Sequence, residues 1–362
     1  MPFHNSSTTR ASGQSRRAAD ADYPAASLAR DHWILSRRPA RNSVTPRRPS
    51  AFWLERERSE TGEIVSVATI FLTNRECPWH CLMCDLWKNT LTDTAPAGSV
   101  PEQIRHALRE LERTNGAGAL DNARCVKLYN SGSFFDRRAI PEEDYAPIAQ
   151  SVRCFGRVIV ECHPTLVNER VLRFRDLLAG KLELALGLET VQPLVLERLN
   201  KRMTLDDFGR AAEFLRRHEI SLRSFVLVKP PFMDEVQALE WAQRSIDFAF
   251  GCGAGVVSLI PVRFGNGALE SLAARGLFSP PALSTLELAG AYGVGLRRNR
   301  VFVDLWNLRE FSDCDACFSL RRERLEQMNE RQVVPAEVRC HLCDQNLRGA
   351  RNQQTALAED RR

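Results

Sequence analysis

Three cysteines, Cys77, Cys81 and Cys84, fall within eight residues, shortly after a β-rich run at Ile64–Leu72. Thiolates this close together can hold three corners of one metal centre. Pro78 and Trp79 argue against a continuous helix through the loop. A second group, Cys314, Cys317, Cys340 and Cys343, brings the grouped cysteines to seven of the chain's 11. No apolar stretch follows the N-terminus, as a secretory signal would require, so a cytoplasmic location is expected. In that compartment grouped cysteines point to metal or redox chemistry rather than disulfides.

The rest of the chain supplies a scaffold for such a loop. β-rich runs at Ile64–Leu72, Cys125–Tyr129, Arg157–Cys162, Leu182–Leu188, Leu222–Val228 and Gly255–Ile260 alternate with helical patterns. The helices are expected over Ser99–Asn115, Leu166–Ala179, Thr204–His218 and Val236–Phe250. Ser99 and Glu102 make a capping-box pattern, with Gly116 just past the last turn. Several strands, such as Phe225-Val226-Leu227-Val228, are apolar throughout, which suits a parallel sheet buried on both faces. The expected class is α/β, a partial (β/α)6 barrel, with its site at the C-terminal ends of the strands. Gly251-Cys-Gly253-Ala-Gly255 precedes a strand rather than following one, so it reads as a turn and not a dinucleotide fingerprint.

Charge divides unevenly. Residues 1–50 carry nine arginines against three aspartates, so the formal +5 of the whole chain leaves the remaining 312 residues at −1. The expected organisation is a disordered basic tail over 1–48, a core barrel over 49–309, a metal-binding segment over 310–347 and a polar tail over 348–362. Apolar stretches such as Ala254–Val262 are far too short for a membrane span.

A C-x3-C-x2-C loop at the end of the first strand of an α/β fold resembles the radical S-adenosylmethionine (SAM) enzymes. The other reading of the triad is a structural zinc site completed by His80 or a remote cysteine. His80 adjoins Cys81, and the two side chains would not easily point at one ion. The resemblance continues along the chain. Met83 stands where the family often has an aromatic before the third cysteine. Asn130-Ser131-Gly132-Ser133 follows the second strand, where the family binds the SAM amino group. Glu161-Cys-His-Pro164 and Gly187-Leu-Glu189-Thr end the next two strands and look like those of the Elongator catalytic subunit. Lys229-Pro-Pro-Phe232 follows the fifth, and together the pattern most resembles the archaeosine-biosynthesis radical SAM family.

What the resemblance implies is a [4Fe-4S] cluster on Cys77, Cys81 and Cys84, with SAM contacted by Met83, Ser131, Gly132, Ser133, Glu161, Glu189 and Lys229. Each of these segments also has a plain structural reading, as turn or surface. Reductive SAM cleavage would serve abstraction of a substrate hydrogen, in the archaeosine case within a tRNA nucleoside, with a flavodoxin- or ferredoxin-like electron donor. Cys314-x2-Cys317 and Cys340-x2-Cys343 form a two-knuckle pattern that suits zinc, with an auxiliary cluster or free thiols as alternatives. A non-catalytic iron–sulfur sensor or a zinc-stabilised RNA-binding module is the competing functional class. Oligomeric state is not legible.

Overall fold

The computed structural model describes residues 23–343. Its centre is one curled sheet of eight strands in sequential order. They are β1 (Ala51–Arg58), β2 (Ile64–Phe71), β3 (Ala123–Tyr129), β4 (Arg157–Cys162), β5 (Lys181–Glu189), β6 (Ser221–Val228), β7 (Val256–Pro261) and β8 (Arg300–Val303). β1 pairs antiparallel to β2, and every later pairing is parallel. The partial-barrel expectation holds, with two more strands than the sequence suggested. β8 has only four residues. β1 reads Ala-Phe-Trp-Leu-Glu-Arg-Glu-Arg, whose charged half hides its alternation.

Helices cover the convex face and pack around the C-terminal ends of the strands. They include α1 (Ser27–Leu35), α2 (Ser99–Asn115), α3 (Tyr145–Ser151), α4 (Glu169–Leu177), α5 (Pro193–Arg198), α6 (Leu205–Arg217), α7 (Glu235–Gly251), α8 (Ala268–Ala273), α9 (Leu283–Gly295) and α10 (Asp315–Arg331). Val126, Leu128, Val158, Val160, Leu184, Leu186, Val226 and Val257 point outward into the main apolar core. No described helix is long and apolar enough to cross a membrane.

Three expectations need correction. The Ser99–Glu102 capping box does not form. Gly98 at φ 80° is the N-cap, its N–H donates to Asp144, and Glu102 pairs with Arg47 instead. The strands are not apolar on both faces. Lys127, Glu183 and Arg223 alternate with the core residues and meet Glu55 and Glu57 of β1 on the concave side. There Lys127 donates to both glutamates at 2.7 and 2.6 Å, and Arg223 bonds Glu57 and Glu183 at 2.5 and 2.7 Å. Burial of so many charges is tolerated because each is paired.

The third correction concerns the N-terminal tail, of which residues 1–22 lie outside the described residues. From residue 23 the chain is ordered. Tyr23, Trp33 and Ile34 pack into a second apolar cluster with Leu82, Leu199 and Met233. Arg30 and Asp31 are buried and paired, the first with Glu197 and the second with Asn200 and Arg202. The Arg- and Ser-rich composition conceals these few anchors, which suffice because their partners are already in place on the barrel.

The free edge of β8 is covered by side chains. Asn329 both accepts from the N–H and donates to the C=O of Val303, at 2.8 Å each, and Gln332 does the same for Val301. Two amides at the C-terminal end of α10, the second on its C-cap residue, thus replace a ninth strand and blunt an edge that would otherwise invite pairing.

Candidate functional site

The cysteine loop crosses the C-terminal ends of the strands, where β2 delivers it. It is held from outside at several points. The Leu82 N–H donates to the Leu199 carbonyl at 2.9 Å, and Asn200 donates to the His80 carbonyl at 2.9 Å. Buried Asn266 donates to the carbonyls of Leu82 and Cys84 at 2.7 and 3.3 Å. Trp79 lies flat on His163, ring centroids 3.9 Å apart and planes 3° from parallel. Burial, then the nearby Lys201, pushes His163 down to about 3, so it stays neutral. Arg38 and Arg41 grip Glu76, next to Cys77.

The three thiols are half-buried and free of disulfides. Burial pushes each of them up to about 12. Among the described residues the triad is not one of the places where three or more ligand atoms lie within 4.8 Å of one another. A single zinc ion with bonds of about 2.3 Å needs that proximity, whereas a multi-iron cluster spreads its thiolates wider. Buried polar atoms without a hydrogen-bond partner gather at the same strand ends: both side-chain atoms of Asn130, Oδ1 of Asn74 and Oδ2 of Asp136. Buried polar groups are nearly always satisfied, so these fit a polar ligand beside the loop.

The turn after β3 lies against the triad. A Cβ placed on Gly132 would stand 3.0 Å from the Cys77 Cβ. Ser131 has φ 55°, a left-handed conformation that the surroundings must enforce. Glu161, at the end of β4, enforces it by accepting from the N–H of Asn130 at 2.5 Å and of Gly132 at 3.3 Å. Burial nonetheless raises its carboxyl to about 7. Ser133 donates to Cys162 at 3.4 Å.

Glu189 sits at the β-bulge ending β5, at φ 65°, and its carboxylate is taken by buried Lys201, which also donates to the Gly187 carbonyl at 2.6 Å. Lys201 was missed in the sequence because it lies in a loop, twelve residues beyond Glu189. Its charge nevertheless reaches Cys77, Cys81 and Glu161. Met83 packs against the second apolar cluster. Lys229 is committed elsewhere: its ammonium donates to Glu235 at 2.5 Å, Ser279 at 2.7 Å and the Pro280 carbonyl at 3.2 Å. These partners tie α7 to the 279–282 segment, and none belongs to the cysteine loop or the 130–133 turn.

The C-terminal cysteines converge differently. Cys314 precedes α10 and Cys317 lies in its first turn. The Cys317 backbone N–H, aimed at the Cys314 sulfur, draws that thiol down to about 7. Sγ–Sγ separations are 3.8 Å for Cys314 and Cys340 and 3.6 Å for Cys317 and Cys343, and all four sulfurs lie within 4.8 Å. A tetrahedron with metal–sulfur bonds of about 2.3 Å has edges of about 3.8 Å, so the donor set fits one closed ion. Because Asn329 sits level with Val303 and Gln332 with Val301, α10 runs antiparallel to β8. Cys317 therefore lies about 18 Å up the helix axis from Asn329, beyond the same end of the barrel that carries the triad.

No family model matches the chain. It is 24% identical over 322 residues to an uncharacterised protein of Methanocaldococcus jannaschii, across 81% of this chain and 85% of that one. It is 28% identical over 246 residues to archaeosine synthase subunit beta of Methanosarcina acetivorans, across 65% of this chain and 68% of the relative. The protein of the same name from Thermococcus kodakarensis is 29% identical over 154 residues, 41% of this chain and 46% of that one. Similar solved structures include an Elp3 from Methanocaldococcus infernus, with TM-score 0.48, 13% identity, and coverage of 63% of this chain and 59% of that one. Methylornithine synthase has TM-score 0.48 and 15% identity, over 85% of this chain and 76% of that one. The chain is thus similar in sequence to archaeosine synthase subunit beta, the likeness expected from its cysteine loop and strand ends.

Proposed function

We propose that the chain is a radical SAM enzyme that modifies a nucleoside in tRNA, with Cys77, Cys81 and Cys84 holding a [4Fe-4S] cluster. The observation that carries this is the juxtaposition of the spread cysteine triad with the Gly132 turn and the unsatisfied amide of Asn130. A cluster held there would supply the single electron for reductive cleavage of SAM to methionine and a 5′-deoxyadenosyl radical able to take a substrate hydrogen. The chain's own residues bind and orient. Glu161 fixes the backbone of the turn, Asn130 offers a donor and an acceptor to the methionyl end, and the Lys201 charge favours a carboxylate nearby. The α1 segment and the stacked Trp79–His163 pair shield the loop from water. The tRNA substrate is supported by the names of the relatives, and an electron donor of flavodoxin or ferredoxin type is part of the reading. The C-terminal thiols would hold zinc.

The test is anaerobic reconstitution with iron, sulfide, SAM and dithionite, followed by assay for 5′-deoxyadenosine. Formation of that product supports the enzyme. A protein that binds the cluster and leaves SAM intact would be a sensor, and the proposal would fail.

A further inference from the structure

The concave face of the sheet carries a run of aromatic rings above its floor of paired charges. Trp306, just past β8, lies 5.6 Å from Trp53 on β1. Trp53 stacks on Phe71 at the end of β2 at 5.2 Å. Phe71 meets Tyr129 at the end of β3 at 5.7 Å, and Tyr129 meets Phe225 of β6 at 6.0 Å. β1 and β8 are the two edges of the sheet. The tryptophan pair therefore bridges the seam of the curled barrel, next to the strand that delivers the cysteine loop.

Three features set this run apart from ordinary core. All five rings keep part of their surface open, and Trp306 is 55% exposed, unlike the fully buried residues of the convex face. The Trp306 backbone is also pinned. Its backbone N–H donates to Asp304 at 3.0 Å, and Arg263 clamps the same corner by donating to Asp304 at 2.9 Å and to the Trp306 carbonyl at 3.0 Å. Finally, the run passes through Tyr129, which leads directly into Asn130 and the turn against Cys77. A large, exposed ring on a pinned backbone, against a second tryptophan, presents a flat face to a flat ligand.

We propose that Trp306, backed by Trp53, is the stacking platform for the planar base of the RNA substrate at the seam of the barrel. The inference rests on the tRNA reading above and names the residues that would receive the base. Stacking is tolerant of base identity, so the platform provides affinity and placement rather than sequence readout. The charged floor of Glu57, Lys127 and Arg223 closes the barrel beneath it.

The experiment compares the reconstituted full-length wild type with Trp306→Ala and Trp306→Phe. Binding of a fluorescently labelled unmodified tRNA transcript is measured at physiological salt, where backbone contacts are partly screened. SAM affinity and RNA-independent 5′-deoxyadenosine formation are measured beside it. Trp306→Ala should weaken tRNA binding about ten-fold and Trp306→Phe should restore most of it, with SAM affinity and RNA-independent cleavage unchanged. Equal tRNA affinity in Trp306→Ala and wild type overturns the platform. So does a parallel loss of SAM affinity, which would make the wall a site for the adenine of SAM. A wild type that cleaves SAM yet does not bind tRNA would instead overturn the tRNA reading on which the platform rests.

Discussion

The two cysteine groups differ in what organises them. In the C-terminal group the sulfurs draw together at 3.6–3.8 Å, and two of the four come from the N-cap and first turn of one helix. The shell is closed, and nothing but the ion needs to fit inside it. In the triad the three sulfurs do not all come within 4.8 Å of one another, and the loop is held by Leu199, Asn200 and Asn266 from other parts of the barrel. Such a site is shaped by the fold, and its incomplete ligand set leaves room beside it for the Gly132 turn. A closed shell braces; an open one, supported from outside, can take a second molecule.

Breaking the triad should have the largest effect. On the proposed cluster assignment Cys81→Ala would remove the ligand of one iron, and 5′-deoxyadenosine should fall to background in the anaerobic assay. Full cleavage by this variant would end the cluster assignment.

Gly132→Val comes next. Because a Cβ there meets the Cys77 Cβ at 3.0 Å, the branched side chain should disturb that proposed cluster ligand as well as the turn. Iron content should drop and SAM affinity should weaken about ten-fold, equivalent to about 1.4 kcal/mol. Normal iron with unchanged SAM affinity would show the turn to be only a turn.

Asn266→Ala tests whether support from outside matters. It removes the donor to two loop carbonyls and should destabilise the loop by about 1–3 kcal/mol. The measurable result is faster cluster loss on chelator challenge, with the overall unfolding midpoint little changed.

Cys340→Ser should have the smallest effect on SAM cleavage. One thiolate of the four is lost, so the proposed zinc should go and the first turns of α10 should loosen, since metal affinity and local folding are coupled. The barrel edge should remain covered, because Asn329 and Gln332 bind β8 at the far end of that helix. Metal analysis of the wild type sharpens the comparison. About one zinc and four irons per chain fit the two unlike sites, whereas about eight irons and no zinc would make the sites alike.

Much of this molecule was legible in its sequence because the relevant signals are local. Helix and strand periods placed the six main strands to within about two residues. Both cysteine groups were visible as spacings. So was the glycine turn after β3, since it had to follow a strand. What stayed hidden depends on residues far apart in the chain. Glu55 and Glu57 look like surface charges until Lys127 and Arg223 arrive from other strands to pair with them. Lys201 looks like a loop lysine until the fold buries it against Glu189. The seam platform joins residues 253 positions apart, Trp53 and Trp306, and no pattern in the sequence links them. Tyr23, Trp33 and Ile34 read as stray hydrophobics in a polar tail until the barrel offers them a surface. Spacing along the chain determined which ligands could share a metal, because neighbouring residues cannot separate. Only the curling of the sheet decided which distant side chains face one another, because closure of a barrel brings its first and last strands together.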